Sequence, residues 1–164
     1  MRWLLAAGLW LAGSASGQRM DWERDPVAQA RYAGLLPSPP PTPDQLACDP
    51  AVIAAFKASW KEADYGVSDV EAAFRMDWIG GRLQIVHEPP APRGEYFQRR
   101  VSRTNRTIAI AHTHPRSGAA PPSDQDLLCP VPNFVVTDWN LYVTLPGTGR
   151  WRVARKNWDR PCGR

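Results

Sequence analysis

Apolar positions recur along the chain with two different periods. Val52, Ile53, Phe56 and Trp60 make one helical face behind Asp49 and Pro50, a good N-cap and first helical residue, and Tyr65-Gly66 stops the run. Beyond it the pattern shortens. Ala72 to Ile79 and Arg82 to Val86 read as two strands of a hairpin punctuated by Gly80-Gly81. Thr107 to His114 alternates apolar and small residues with period two, so Ile108, Ile110, His112 and His114 share one face of a strand. A short helix starts at Ser123. Asn133 to Thr137 and Leu141 to Leu145 are strands around a turn at Asp138 to Asn140, and Trp151 to Ala154 is a last strand. This order predicts an α+β domain, a mixed β-sheet covered by helices, with no internal repeat.

The first residues read differently. Met1-Arg2-Trp3 is a short basic start, Leu4 to Ala12 is apolar, and Gly13 to Gln18 supplies small residues for cleavage after Ala15 or Gly17. Residues 1–17 are therefore expected to be a signal peptide, and residues 18–46 an N-terminal segment with a short helix and an extended connector at Pro37 to Pro43. The folded domain is expected over 47–155, with 156–164 as a C-terminal tail. No later segment approaches about 20 consecutive apolar residues, so the mature chain has no expected membrane span and is placed in the periplasm or outside the cell. Export makes one disulfide plausible among Cys48, Cys129 and Cys162. A bridge from Cys129 to Cys162 would pin the tail, and Cys48 competes equally.

Charge narrows the partners a little. The formal net charge is +4, one unit less without Arg2. Arg93, Arg99, Arg100, Arg103 and Arg106 cluster around Tyr96 and Phe97, but no nucleic-acid motif accompanies them, so they read as a solvated face with some preference for acidic substrates. No Gly-rich phosphate loop is present. Trp78, Trp139, Trp151 and Trp158 read as core or groove-wall aromatics.

Chemistry concentrates between Ile108 and Leu128. His112 and His114 point the same way from one strand, Pro115 ends the ladder, and Ser123 as N-cap sets Asp126 on the first turn of the next helix. Each half has an ordinary explanation: His-x-His is often only polar, and Ser-x-x-Asp is a capping-box variant. The four features in order point instead to two imidazoles and a carboxylate around one zinc ion, with the fourth position left for water. Asp124 is a weaker ligand candidate.

With these residues the sequence resembles the JAMM (MPN+) metallopeptidases, whose pattern is an upstream Glu, His-x-His-Pro, a short loop and Ser-x-x-Asp. Here the loop has one residue more than the pattern, within Arg116 to Pro122. The resemblance covers roughly Cys48 to Val153 and implies a three-layer, deaminase-like fold. It also implies one Zn2+ per chain on His112, His114 and Asp126, with Ser123 donating to the oxyanion and a Glu as general base. Glu71 fits that base best because it opens a strand after the first helix; Glu62, Glu88 and Glu95 are the other candidates. The expected activity is hydrolysis of an amide bond in a peptide or protein substrate, by peptidase or isopeptidase chemistry. Two other readings stay open: a binding module of the same fold without turnover, and a lyase or hydratase with zinc on His87, His112 and His114.

Overall fold

The computed structural model describes residues 39–67, 69–89, 101–116 and 121–162. The expected leader, the segment from Gln18 to Leu36, Arg93, Arg99, Arg100 and Glu95 lie outside the described residues. The helices are α1 (Pro43–Cys48), α2 (Pro50–Glu62) and α3 (Asp124–Leu127), with a 3-10 turn at Asp64–Gly66. The strands are β1 (Ala73–Ile79), β2 (Arg82–His87), β3 (Thr107–Thr113), β4 (Asn133–Val136), β5 (Asn140–Leu145) and β6 (Arg150–Lys156). The domain is α+β, as the alternation of periods implied.

Local chemistry explains where the helices begin. The Asp49 carboxylate accepts from the backbone N–H groups of Ala51 and Val52, and Pro50 sits where no donor is needed. The same device operates one helix earlier, against expectation. Thr42 and Gln45 form a reciprocal capping box around Pro43, so the end of the proline run starts α1 and does not continue as an extended connector. Leu46 and Ala47 are buried, and the folded unit therefore starts before the expected boundary at 47.

The six strands form one sheet in the order β2-β1-β3-β4-β5-β6. Only β3 and β4 run parallel; the other neighbours are antiparallel. Gly80 and Gly81 both have positive φ, at 59° and 77°, which closes the β1–β2 hairpin with Ile79 opposite Arg82. Period two then divides the sheet. Phe74, Met76, Ala109, Ala111, Phe134, Val136, Leu141 and Val143 face the helices, where Leu46, Val52 and Phe56 complete the core. The Phe56 ring lies 5.5, 5.7 and 6.1 Å from those of Phe74, Phe134 and Trp158. The alternate residues, His112 and Asn133 among them, face the other side, under α3.

In the expected tail, Trp158 belongs to the core. Trp158 is buried and donates its indole N–H to the Thr137 carbonyl at 2.8 Å, while Arg155 reaches the Ala47 carbonyl at 2.9 Å. Cys162 is joined to Cys48, and Cys129 is the free thiol. The contact of β6 and its extension with α1 decides the pairing, which no spacing in the sequence reveals. This disulfide is compatible with an extracellular protein. Among the described residues no helix is long and apolar enough to cross a membrane.

The bridge spans a sequence separation of 114 residues, so its loss enlarges the unfolded ensemble considerably. Replacing Cys48 and Cys162 together by Ser should lower unfolding free energy by about 2–4 kcal/mol in urea titrations. An unchanged urea midpoint would show that the pairing contributes nothing to the fold.

Candidate metal centre

The site is built at the end of β3. His112 is its penultimate residue, and His114 follows directly, its N–H still bonded to the Val136 carbonyl at 3.0 Å. The imidazoles project from one face with ring centroids 4.9 Å apart and Nε2 atoms 3.1 Å apart. Asp126 comes from α3. Its Oδ1 lies 3.2 Å from His112 Nε2, and its Oδ2 lies 3.4 Å from His114 Nε2. Candidate ligand atoms of the three residues all lie within 4.8 Å of one another, an arrangement that could hold a metal ion.

Ser123 fixes the carboxylate. It is the N-cap of α3, with its hydroxyl accepting from the Asp126 N–H at 3.3 Å. In return Asp126 Oδ2 accepts from the Ser123 backbone N–H at 2.7 Å and from its hydroxyl at 2.8 Å. Capping box and ligand placement are thus one interaction, not alternatives. Asn133, the first residue of β4, was not singled out by any sequence pattern. It is buried, accepts from His112 Nδ1 at 3.1 Å and donates to Asp126 Oδ1 at 3.2 Å.

Glu71 stands two residues before β1, the strand on the other side of β3. Thr113 holds the residue beside it twice, donating its N–H to the Ala72 carbonyl and accepting from the Ala72 N–H, each at 3.0 Å. Because Ala73 pairs with His112, continuing the register places Glu71 opposite His114 and on the same face. Thr113 is fully buried, and in the sequence it read only as another β-branched strand residue.

The two carboxylates are pushed in opposite directions. Burial works against ionising Asp126, but hydrogen bonds from His112 and His114 outweigh it and hold its pKa far below the usual carboxylate range. Burial raises the pKa of Glu71, and the nearby His112 and His114 offset this only in part. For His112, burial favours the neutral ring, yet the Asp126 hydrogen bond and the charges of Asp126 and Glu71 raise its pKa overall.

The other candidates fall elsewhere. His87 pairs with Phe74 and rests its ring 5.5 Å from it on the helix-facing side of the sheet. The three-histidine site is therefore not assembled. Glu88 is held by Arg75 at 3.1 Å and by the Ser102 hydroxyl, and Glu62 is exposed at the end of α2. Asp124 is exposed at the start of α3. Beside His114 a cavity of about 230 Å³ is walled by Trp60, Pro115, Trp139 and Tyr142, with Thr137 and Asn140 as polar groups. Arg116 and Asp138, paired at 2.8 Å, stand at the same cavity.

Comparison with known protein families, with curated proteins and with solved structures finds no match.

The raised pKa of Glu71 carries a sign that can be checked. A carboxylate whose folded pKa exceeds its unfolded value destabilises the fold as pH rises through that interval, and the cost is complete above it. In metal-free protein, Glu71→Gln should therefore raise the melting temperature near pH 8, with the advantage gone below about pH 4. Equal melting curves at both pH values would contradict the burial assigned to this carboxylate.

Proposed function

We propose that the chain is an exported zinc-dependent hydrolase of amide bonds, of the JAMM type that its His-x-His-Pro and Ser-x-x-Asp segments resemble. The observation that carries this reading is the separate, buried Glu71, facing a His-His-Asp donor set from the neighbouring strand. Zinc suits the donor chemistry. Tetrahedral zinc with bonds of about 2.0–2.1 Å keeps its ligand atoms roughly 3.3 Å apart. The nitrogen and oxygen spacings of 3.1, 3.2 and 3.4 Å are close to that, although the last two involve different oxygens of Asp126.

His112, His114 and Asp126 would hold the ion, which supplies Lewis-acid activation of water and of the scissile carbonyl. The proton chemistry belongs to Glu71. Its raised proton affinity suits a group that takes a proton from the attacking water and returns it to the leaving amine. Ser123 holds Asp126 through its hydroxyl and would donate to the developing oxyanion by giving up that bond. The aromatic cavity beside His114 is a place for a substrate residue flanking the cleaved bond. The three-layer family fold, the cleaved leader and a substrate outside the cytosol complete this reading.

One observation favours a second reading. The Ser123 hydroxyl is engaged with Asp126 on both sides, as a scaffold holding an ion without turnover would have it. A binding module of the same fold is that reading, and turnover separates the two.

Elemental analysis of gently purified protein should give about one zinc per chain, and Asp126→Ala should abolish it while His87→Ala leaves it unchanged. Protein that holds no metal and takes up none when zinc is added would end the metal-centre reading. Glu71→Gln should keep zinc and fold but lower kcat by about 10²–10⁴ on any peptide or isopeptide substrate found, cell-wall peptides included in the screen. Equal rates would remove Glu71 as the base. A broad screen without cleavage by zinc-loaded wild type would support the binding module.

A further inference from the structure

We propose that Asn133 is the positioning residue of the metal centre, setting the His112 tautomer and the Asp126 carboxylate with one side-chain amide. The proposal rests on the metal-centre reading above.

Asn133 is 2% exposed at the start of a strand, where asparagine is a poor strand former and a buried amide needs partners at both ends. Both partners are ligand residues. A carboxylate only accepts, so the end of the amide facing Asp126 Oδ1 at 3.2 Å must be the NH2. The carbonyl end then faces His112 Nδ1 at 3.1 Å and can only accept. His112 must therefore carry a proton on Nδ1, which leaves Nε2 to face the cluster: it donates to Asp126 Oδ1 at 3.2 Å while the ring is charged, and a metal ion would take its lone pair once that proton leaves.

The amide is planar, so its two ends cannot adjust independently. It couples the ligand on β3 to the ligand on α3, and β4 provides its base. The Asn133 backbone N–H is bonded to the buried Thr144 hydroxyl at 3.2 Å, and the preceding Pro132 carbonyl accepts from the Ile110 N–H at 3.0 Å. Ser59 has an unpartnered hydroxyl but belongs to α2, behind the sheet, and Cys129 is a lone thiol. Partners that orient metal-bound histidines typically change metal affinity by about 10–100-fold when removed.

The test is zinc affinity by competition with a chromophoric chelator, with imidazole ¹H–¹⁵N spectra of the zinc-loaded protein. Asn133→Ala, and Asn133→Leu, which keeps more of the side-chain volume, should bind zinc about 10–100-fold more weakly and lose the exchange-protected Nδ1–H signal of His112. Thr144→Ala should lower the melting temperature without a comparable loss of affinity, because it removes the support of the backbone and leaves the amide in place. Wild-type affinity in a folded Asn133→Ala or Asn133→Leu protein overturns the proposal while leaving the metal centre standing. Should both variants misfold, a zinc-loaded wild type without a protected His112 Nδ1–H overturns it equally. Wild type that binds no divalent ion removes the metal-centre reading and this role together.

Discussion

A parallel strand pair cannot be closed by a tight turn, because the chain leaving the end of one strand must travel back to the start of the next. In this sheet that constraint applies once, between β3 and β4. The crossover between them contains α3, and α3 carries Asp126 over the face from which His112 and His114 project. An antiparallel return at that point would bring β4 back beside β3 without a connecting helix, and no carboxylate would stand above the imidazoles. The same pairing sets Asn133 opposite Ile110, two residues from His112 and on the same face. His112, His114, Asp126 and Asn133 thus meet because one strand pair has a particular direction.

The antiparallel neighbour of β3 supplies the remaining group. Thr113 and Ala72 extend the β1–β3 ladder past the end of β1, so Glu71 lies in a position that the regular strand does not reach. One face of the sheet holds α1, α2 and an apolar core, while the other, under α3, carries the polar side chains of the candidate site. Core and site are separated by the thickness of a single sheet. Phe134, between Asn133 and Val135, packs on Phe56 while its preceding neighbour touches His112 and Asp126, so core and candidate site are one residue apart along β4.

What could be read in the sequence was local. The alternation around His112, the capping residues Asp49 and Ser123, and the Gly80-Gly81 hairpin each depend on interactions within a few positions, and each is found where the pattern put it. The start of α1 was hidden because its prolines read as an extended connector, although Thr42 and Gln45 carry a capping box within the same few residues. The Cys48–Cys162 pairing depends on how β6 and its extension return to α1, which period and spacing do not encode. Asn133 was illegible for another reason. Its pattern marked it only as the first residue of a strand, and only the burial of its amide between His112 and Asp126 distinguishes it.

The carboxylates show how one cluster can hold the same functional group at two different proton affinities. Asp126 and Glu71 both lose water, and by burial alone both would rise in pKa. Asp126 is the one with donors: two imidazoles, the Ser123 N–H and hydroxyl, and the Asn133 amide converge on its two oxygens. That shell keeps it an anion and holds its orientation, the properties required of a ligand. Glu71 receives the field of the neighbouring rings, which offsets burial without cancelling it, and that of Asp126, which adds to it, so its proton affinity remains above that of an ordinary glutamate. A divalent cation bound among one carboxylate and two neutral imidazoles would leave the cluster with an excess positive charge. Its field would draw Glu71 back toward ionisation, placing a poised base beside the metal without making it a ligand.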